Sequence, residues 1–263
     1  MPDKNYFFLL FPLLAFLIHF LGVNESLFLA INHSGEALPD IVWETITIFG
    51  KKSFVLLVIF LIAWKKPDLL LSVLIASLLA GILSGTLKPL FDLPRPTDVL
   101  PLADYHLIGP RISRHSFPSG HTLSAFAVAA SVIFYCKKWF ITAVMILLAS
   151  AVGLSRIMLG VHWPIDVLMG ATLGLTSAYA AVQFSAIDWI KNSKYKLPVI
   201  LALYLLLAIK LFWKGTAYPD VQGLVKIVAI AGLVLIAAMI YFRIKNWRSV
   251  AQGGAQWRNK TVP

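Results

Sequence analysis

Residues 114–136 read "RHSFPSGHTLSAFAVAASVIFYC". The stretch opens as a basic, polar turn and closes as an uninterrupted apolar run. Pro118 and Gly120 suit a tight turn into a helix start. The run from 119 to 136 approaches the roughly 20 residues that a helix needs to cross a bilayer core. A fold built of such segments is a membrane helix bundle. The polar groups at the mouth of this one need a reason, because charge near hydrocarbon is costly.

Working outward, the whole chain has the same character. Of its 263 residues 59% are hydrophobic and 13% charged, with a mean hydropathy of +0.81. Soluble domains carry about a quarter charged residues. Stretches at 6–23, 53–64, 69–88, 119–136, 139–156, 166–184, 197–213 and 223–242 all approach spanning length, with 41–52 extending the second. The N-terminal run resembles a signal peptide but has no clear small-residue cleavage site, so it is expected as a retained first helix. Residues 24–41 are expected as a short interfacial helix and a loop. Six prolines at 89, 94, 96, 101, 110 and 118 predict irregular structure outside the hydrocarbon.

The net charge of +11 would suggest nucleic acid in a soluble protein. Here many Lys and Arg flank apolar runs and face headgroups instead, so no nucleic-acid partner is expected. Pairs such as Lys65–Lys66 and Lys137–Lys138, with Arg243 and Lys245, collect on one side. That side is expected to be cytoplasmic, with both termini, and the 24–52, 89–118 and 157–165 connections face out. One cysteine, Cys136, excludes an internal disulfide.

Three polar clusters fall on the outer side. "KPLFDLPRP" (88–96) contributes Lys88 and Arg95, which alone would be snorkelling anchors. "FPSGH" (117–121) puts Ser119, Gly120 and His121 at a helix start, where free amides and the helix dipole favour an anion. "SRIMLGVHWPID" (155–166) carries Arg156, His162 and Asp166; the last two are four apart, and Asp166 could accept a proton from one imidazole nitrogen. Each cluster has an ordinary structural explanation on its own. Together they supply cations and aligned donors for phosphate oxygens, a nucleophile and a proton donor. The residues alone leave open which histidine does which. No spacing suggests a metal site, no cofactor is implied, and Asp92, Asp98 and Asp104 are expected as solvated loop residues.

The linked pattern of Lys88, Arg95 and Pro96, then Pro118 to His121, then Ser155, Arg156, His162 and Asp166 resembles the three-part signature of the type 2 phosphatidic acid phosphatase superfamily. The resemblance implies an all-α polytopic bundle with a six-helix phosphatase core, here over 1–196; the two helices over 197–245 are an addition to that core, and the polar residues 246–263 are expected as a mobile cytoplasmic tail. It implies a metal-independent membrane lipid phosphatase with His162 as nucleophile, Asp166 orienting it and His121 protonating the leaving oxygen. Lys88, Arg95, Arg156, Ser119 and Gly120 would hold the phosphoryl group.

Undecaprenyl diphosphate, phosphatidylglycerophosphate, phosphatidic acid and lipid A 1-phosphate are the candidate substrates, and a bacterial inner membrane with an outward site is the expected setting. Arg111 and Arg114 are either a basic loop or a contact for a second phosphate that selects substrate. The alternatives are a phosphotransferase with the same site, and a transporter or structural membrane protein. The sequence does not speak to oligomeric state.

Overall fold

The computed structural model describes residues 7–258, and among them there is no strand. Residues 1–6 and 259–263, and with them the two chain ends expected in the cytoplasm, lie outside the described residues. Every apolar stretch read above folds as helix. Helix α1 (Phe7–Phe20) turns by 110° into α2 (Asn24–Ser34), the expected short helix, which ends in a 3-10 turn. Then come α3 (Asp40–Ile48), α4 (Lys52–Ala63), α5 (Pro67–Phe91) and the one-turn α6 (Pro96–Val99). Helices α7 (Gly120–Cys136), α8 (Trp139–Met158) and α9 (Pro164–Ser185) form the centre. The short α10 (Asp188–Lys191) leads to α11 (Lys196–Lys214) and α12 (Gln222–Arg258).

Three expectations change. Residues 41–52 do not extend the second span as one rod: α3 and α4 meet at 69°, across a break at Phe49–Lys51. The physical reason is proximity, since a Cβ on Gly50 would stand 2.7 Å from His121 Cβ and 2.8 Å from Val152. Helix α5 runs through Pro89 to Phe91. A proline in the last turn costs only the bond to the Gly85 carbonyl, and Asp92, left-handed at φ 38°, closes the helix onto the Lys88 carbonyl. The tail expected from residue 246 instead continues α12 as helix to Arg258.

Five single helices are long and apolar enough to cross a bilayer, or seven spans if each bent pair counts once. Helix α7 has 17 residues, about 25 Å at the α-helical rise, short of a ~30 Å core. It packs on all sides, against α5, α8 and α9. Small residues permit this close approach, as is usual where lipid offers no hydrophobic drive. A Cβ on Gly174 would lie 2.6 Å from the Leu123 carbonyl oxygen, and one on Gly170 would lie 2.7 Å from that of Ser119. These contacts hold the start of α9 beside the start of α7.

Helices α11 and α12 pack on α4, burying Leu57, Phe60, Tyr204, Ala208, Val225 and Ala229. The Phe60 and Tyr204 rings stack at 4.6 Å. Outward-facing Leu13, Phe16, Ile62, Leu78 and Ile227 present apolar surface, with Trp139, Trp189 and Trp213, 80–83% exposed, near helix ends. That distribution suits a lipid surround with interfacial tryptophans.

Candidate active site

The three polar clusters meet at one end of the bundle. The end of α5 carries Lys88, the start of α6 Arg95, and the start of α7 Ser119, Gly120 and His121. The end of α8 carries Arg156, and α9 begins two residues after His162. Gly160, at φ +75°, makes the turn between α8 and α9, where a Cβ would lie 2.8 Å from the His106 carbonyl oxygen.

His162 and Asp166 are each 2% exposed. Asp166 Oδ2 accepts from Ser116 Oγ at 2.5 Å and from the Trp163 amide at 2.9 Å, and lies 3.3 Å from His162 Nδ1. On the other side of the ring, Arg95 Nη1 stands 3.2 Å from His162 Nε2. A guanidinium has no acceptor, so Nε2 must accept, and the ring proton sits on Nδ1 facing the carboxylate. Burial, and then the charges of Arg95 and Arg156, hold the imidazole below the ordinary histidine range. The ring is therefore neutral near pH 7, with its lone pair on Nε2.

The cations are fixed by backbone and by distant side chains. Arg95 donates to the carbonyls of Val161 at 2.7 Å, Arg114 at 2.8 Å and His115 at 3.3 Å. Lys88 Nζ donates to the His115 carbonyl at 2.5 Å. Arg114 and His115 both adopt left-handed backbone, φ 55° and 50°, uncommon without glycine. Their carbonyls thus position two of the cations.

Arg156, 2% exposed, donates through Nη1 to Thr47 Oγ1 at 2.6 Å and to Tyr218 Oη at 3.3 Å. Its Nε is buried without a hydrogen-bond partner among the described residues. A buried guanidinium N–H left over in this way is a donor suited to a phosphate oxygen.

At the start of α7, the Ser119 amide donates to the Asp166 carbonyl at 3.0 Å, and its hydroxyl oxygen accepts from Thr122 Oγ1 at 2.9 Å. The donors left at this helix end are the Ser119 hydroxyl proton and the first-turn amides of Gly120 and His121. The His121 ring is half-buried, and no hydrogen bond is described for it. Arg111 is turned onto the Thr97 carbonyl at 2.5 Å, and the Arg114 amide onto Asp98 at 2.7 Å. Both residues are exposed. Asp98 caps α6 by accepting from the Arg95 amide at 3.0 Å, and so has a structural task. Among the described residues no three His, Cys, Asp or Glu side chains converge as metal ligands.

Sequence reasoning missed Ser116, Thr47, Tyr218 and Asn32. Asn32 ties down the end of α8, its side-chain amide reaching the Ile157 and Met158 carbonyls at 3.0 and 2.9 Å. Ser116 lay inside the quoted stretch, and its signal was a small hydroxyl next to the turn. Thr47 and Tyr218 carried no local signal.

A family model described as the PAP2 superfamily matches residues 69–189. The chain is 27% identical over 181 residues to an undecaprenyl-diphosphatase of Sulfolobus acidocaldarius, covering 65% of this chain and 83% of that protein. It is 30% identical to a lipid A 4'-phosphatase of Porphyromonas gingivalis, covering 60% of this chain and 70% of that one. Among solved structures, a PAP2-type phosphatidylglycerolphosphate phosphatase from Bacillus subtilis superposes with a TM-score of 0.54 at 27% identity, covering 74% of this chain and all of its own.

Proposed function

Since the chain belongs to the PAP2 superfamily of membrane lipid phosphatases, we propose that it hydrolyses a lipid phosphate or diphosphate through a phosphohistidine on His162. The observation that carries this reading is the clamp on that ring, Asp166 at Nδ1 and Arg95 at Nε2. It presents a neutral imidazole with one lone pair among fixed cations, the requirement for nucleophilic attack on phosphorus. Nε2 forms the bond to phosphorus as the bond to the leaving oxygen breaks. His121 gives that oxygen a proton. Water then attacks the phosphohistidine, releasing phosphate and restoring the proton.

Lys88, Arg95 and Arg156 balance the charge on the phosphoryl oxygens, with donors from Ser119 and Gly120. In this reading the cations do the work a metal would otherwise do, so phosphate release persists in chelator. Undecaprenyl diphosphate, phosphatidylglycerophosphate, phosphatidic acid and lipid A 1-phosphate are the candidate substrates. The membrane is the bacterial inner membrane, with the site outside and both termini inside.

The test is phosphate release by purified protein given one lipid at a time. His162→Ala should abolish it for every lipid, and retained turnover overturns the mechanism. A phosphotransferase would instead move the group to a second lipid and release little phosphate. Transport is disfavoured, since the charges sit at one end of the bundle rather than at mid-depth.

A further inference from the structure

The groups described so far hold the phosphoryl group that is transferred and leave the other side of the reaction unaccounted for. In-line displacement places the leaving group opposite His162, on the side of the proposed acid His121. What borders His121 there comes from outside the three motifs. Gly50 packs against the His121 side chain, so the break between α3 and α4 brings Lys51, the next residue, to this side of the site. Lys52 and Lys210 border one groove, and the charges of Lys210 and Lys214, at the end of α11, act on Lys51. The Lys52 ammonium lies against Gly81 of α5, where a Cβ would collide with it.

None of these four lysines belongs to an ion pair among the described residues; the described pairs engage His106, His115, His162 and Lys196. Lys51 and Lys52 are half-buried and Lys210 and Lys214 are exposed; like charges gathered in this way repel one another, and an anion between them relieves that repulsion. Directly below lies a groove of about 650 Å³ between α4, α5 and α11. Lys52 and Lys210 border it, and Leu56, Leu74, Leu78, Ile82 and Leu206 line its length. Its volume is that of an ordinary small-molecule site. Helix α11 begins after the family match ends at residue 189.

Resting on the phosphatase reading above, we infer that Lys51, Lys52, Lys210 and Lys214 form a leaving-side subsite for the second phosphate of a lipid diphosphate, whose hydrocarbon chain lies in the groove. The reaction balances without a further reagent. His162 takes the terminal phosphoryl group, the bond to the bridging oxygen breaks, and His121 protonates the departing lipid monophosphate. That monophosphate stays paired with the lysines until water frees the enzyme. The helices added to the core thus make the chain selective for diphosphates.

The experiment compares kcat/KM of the purified full chain on a polyprenyl diphosphate and on the monophosphate of the same chain length. Losing one charge-assisted contact should lower the diphosphate-to-monophosphate ratio about tenfold in Lys51→Ala and in the Lys210→Ala/Lys214→Ala pair. Lys51→Arg should restore it, which separates a charge contact from a folding defect. Leu78→Trp, which fills the groove, should raise KM for the long-chain diphosphate and spare a short-chain one. Equal losses on both substrates, or a ratio that falls only in Arg111→Ala or Arg114→Ala, overturn the subsite while leaving the phosphatase intact. A wild-type protein that releases phosphate from neither lipid overturns both.

Discussion

Ser116 Oγ donates at 2.5 Å to Asp166 Oδ2, the same carboxylate oxygen that faces the His162 ring. Fifty residues separate the two in sequence. In the proposed mechanism, the carboxylate that orients His162 is thus itself aimed by the loop before α7. Ser116 is therefore a positioning residue, acting through Asp166. Ser116→Ala should lower kcat about tenfold, the worth of one hydrogen bond to a charged group, with little change in KM. Ser116→Thr should recover most of it. Steady-state kinetics of the two variants checks this; an unchanged kcat in Ser116→Ala removes the role.

The pH profile follows from the environment of His162. Its ordinary value near 6.5 is pushed down, first by burial and then by Arg95 and Arg156. A depressed pKa keeps the ring neutral, and so nucleophilic, at pH 6.5 and above, and protonates it only further into acid. The acidic limb of kcat/KM should therefore lie below 6.5. In Arg95→Met it should move upward, since a cation opposing the protonated ring is gone. A limb that moves down in this variant contradicts the placement of Arg95.

Arg156 is buried with Thr47 and Tyr218 as its partners. Thr47→Val keeps the shape and removes the 2.6 Å acceptor. It should cost about 1–3 kcal/mol of stability, the penalty for a buried donor left without its partner. Tyr218→Phe, at 3.3 Å, should cost less. Thermal unfolding of both variants in one detergent gives the order, and a larger loss in Tyr218→Phe would reverse the ranking of the two contacts.

Gly174→Ala tests the packing that assembles the site. The new Cβ would stand 2.6 Å from the Leu123 carbonyl oxygen and 2.7 Å from Phe126 Cβ. Helix α9 would have to move away from α7, at a cost of about 1–3 kcal/mol for overpacking. Because α9 carries Asp166 and α7 carries His121, kcat should fall along with the melting temperature. Gly223→Ala, with nothing within 4 Å of the added Cβ, is the control and should unfold as wild type does.

The apolar runs and the polar clusters of residues 88–166 were legible because both are local. A backbone in hydrocarbon must satisfy its own hydrogen bonds, so an apolar run of sufficient length has to be helix. The spacing within "FPSGH" already put Ser119 and Gly120 at a helix start, and the four-residue interval already brought His162 near Asp166. Local rules also misled in places. Pro89 breaks nothing, because it falls in a last turn. The 41–52 stretch bends, because Gly50 must pass His121.

Arg114 and His115, which open the stretch at 114–136, had no explanation in the sequence. The structure shows that their backbone carbonyls hold Arg95 and Lys88. By itself, then, the sequence determined that this chain is a helical membrane protein and marked out the side chains proposed to carry its chemistry. The tertiary structure alone decided what aims them: Ser116 on Asp166, and Thr47 and Tyr218 on Arg156. Such contacts arise where chain ends from remote helices converge, and no periodicity along the chain encodes that convergence.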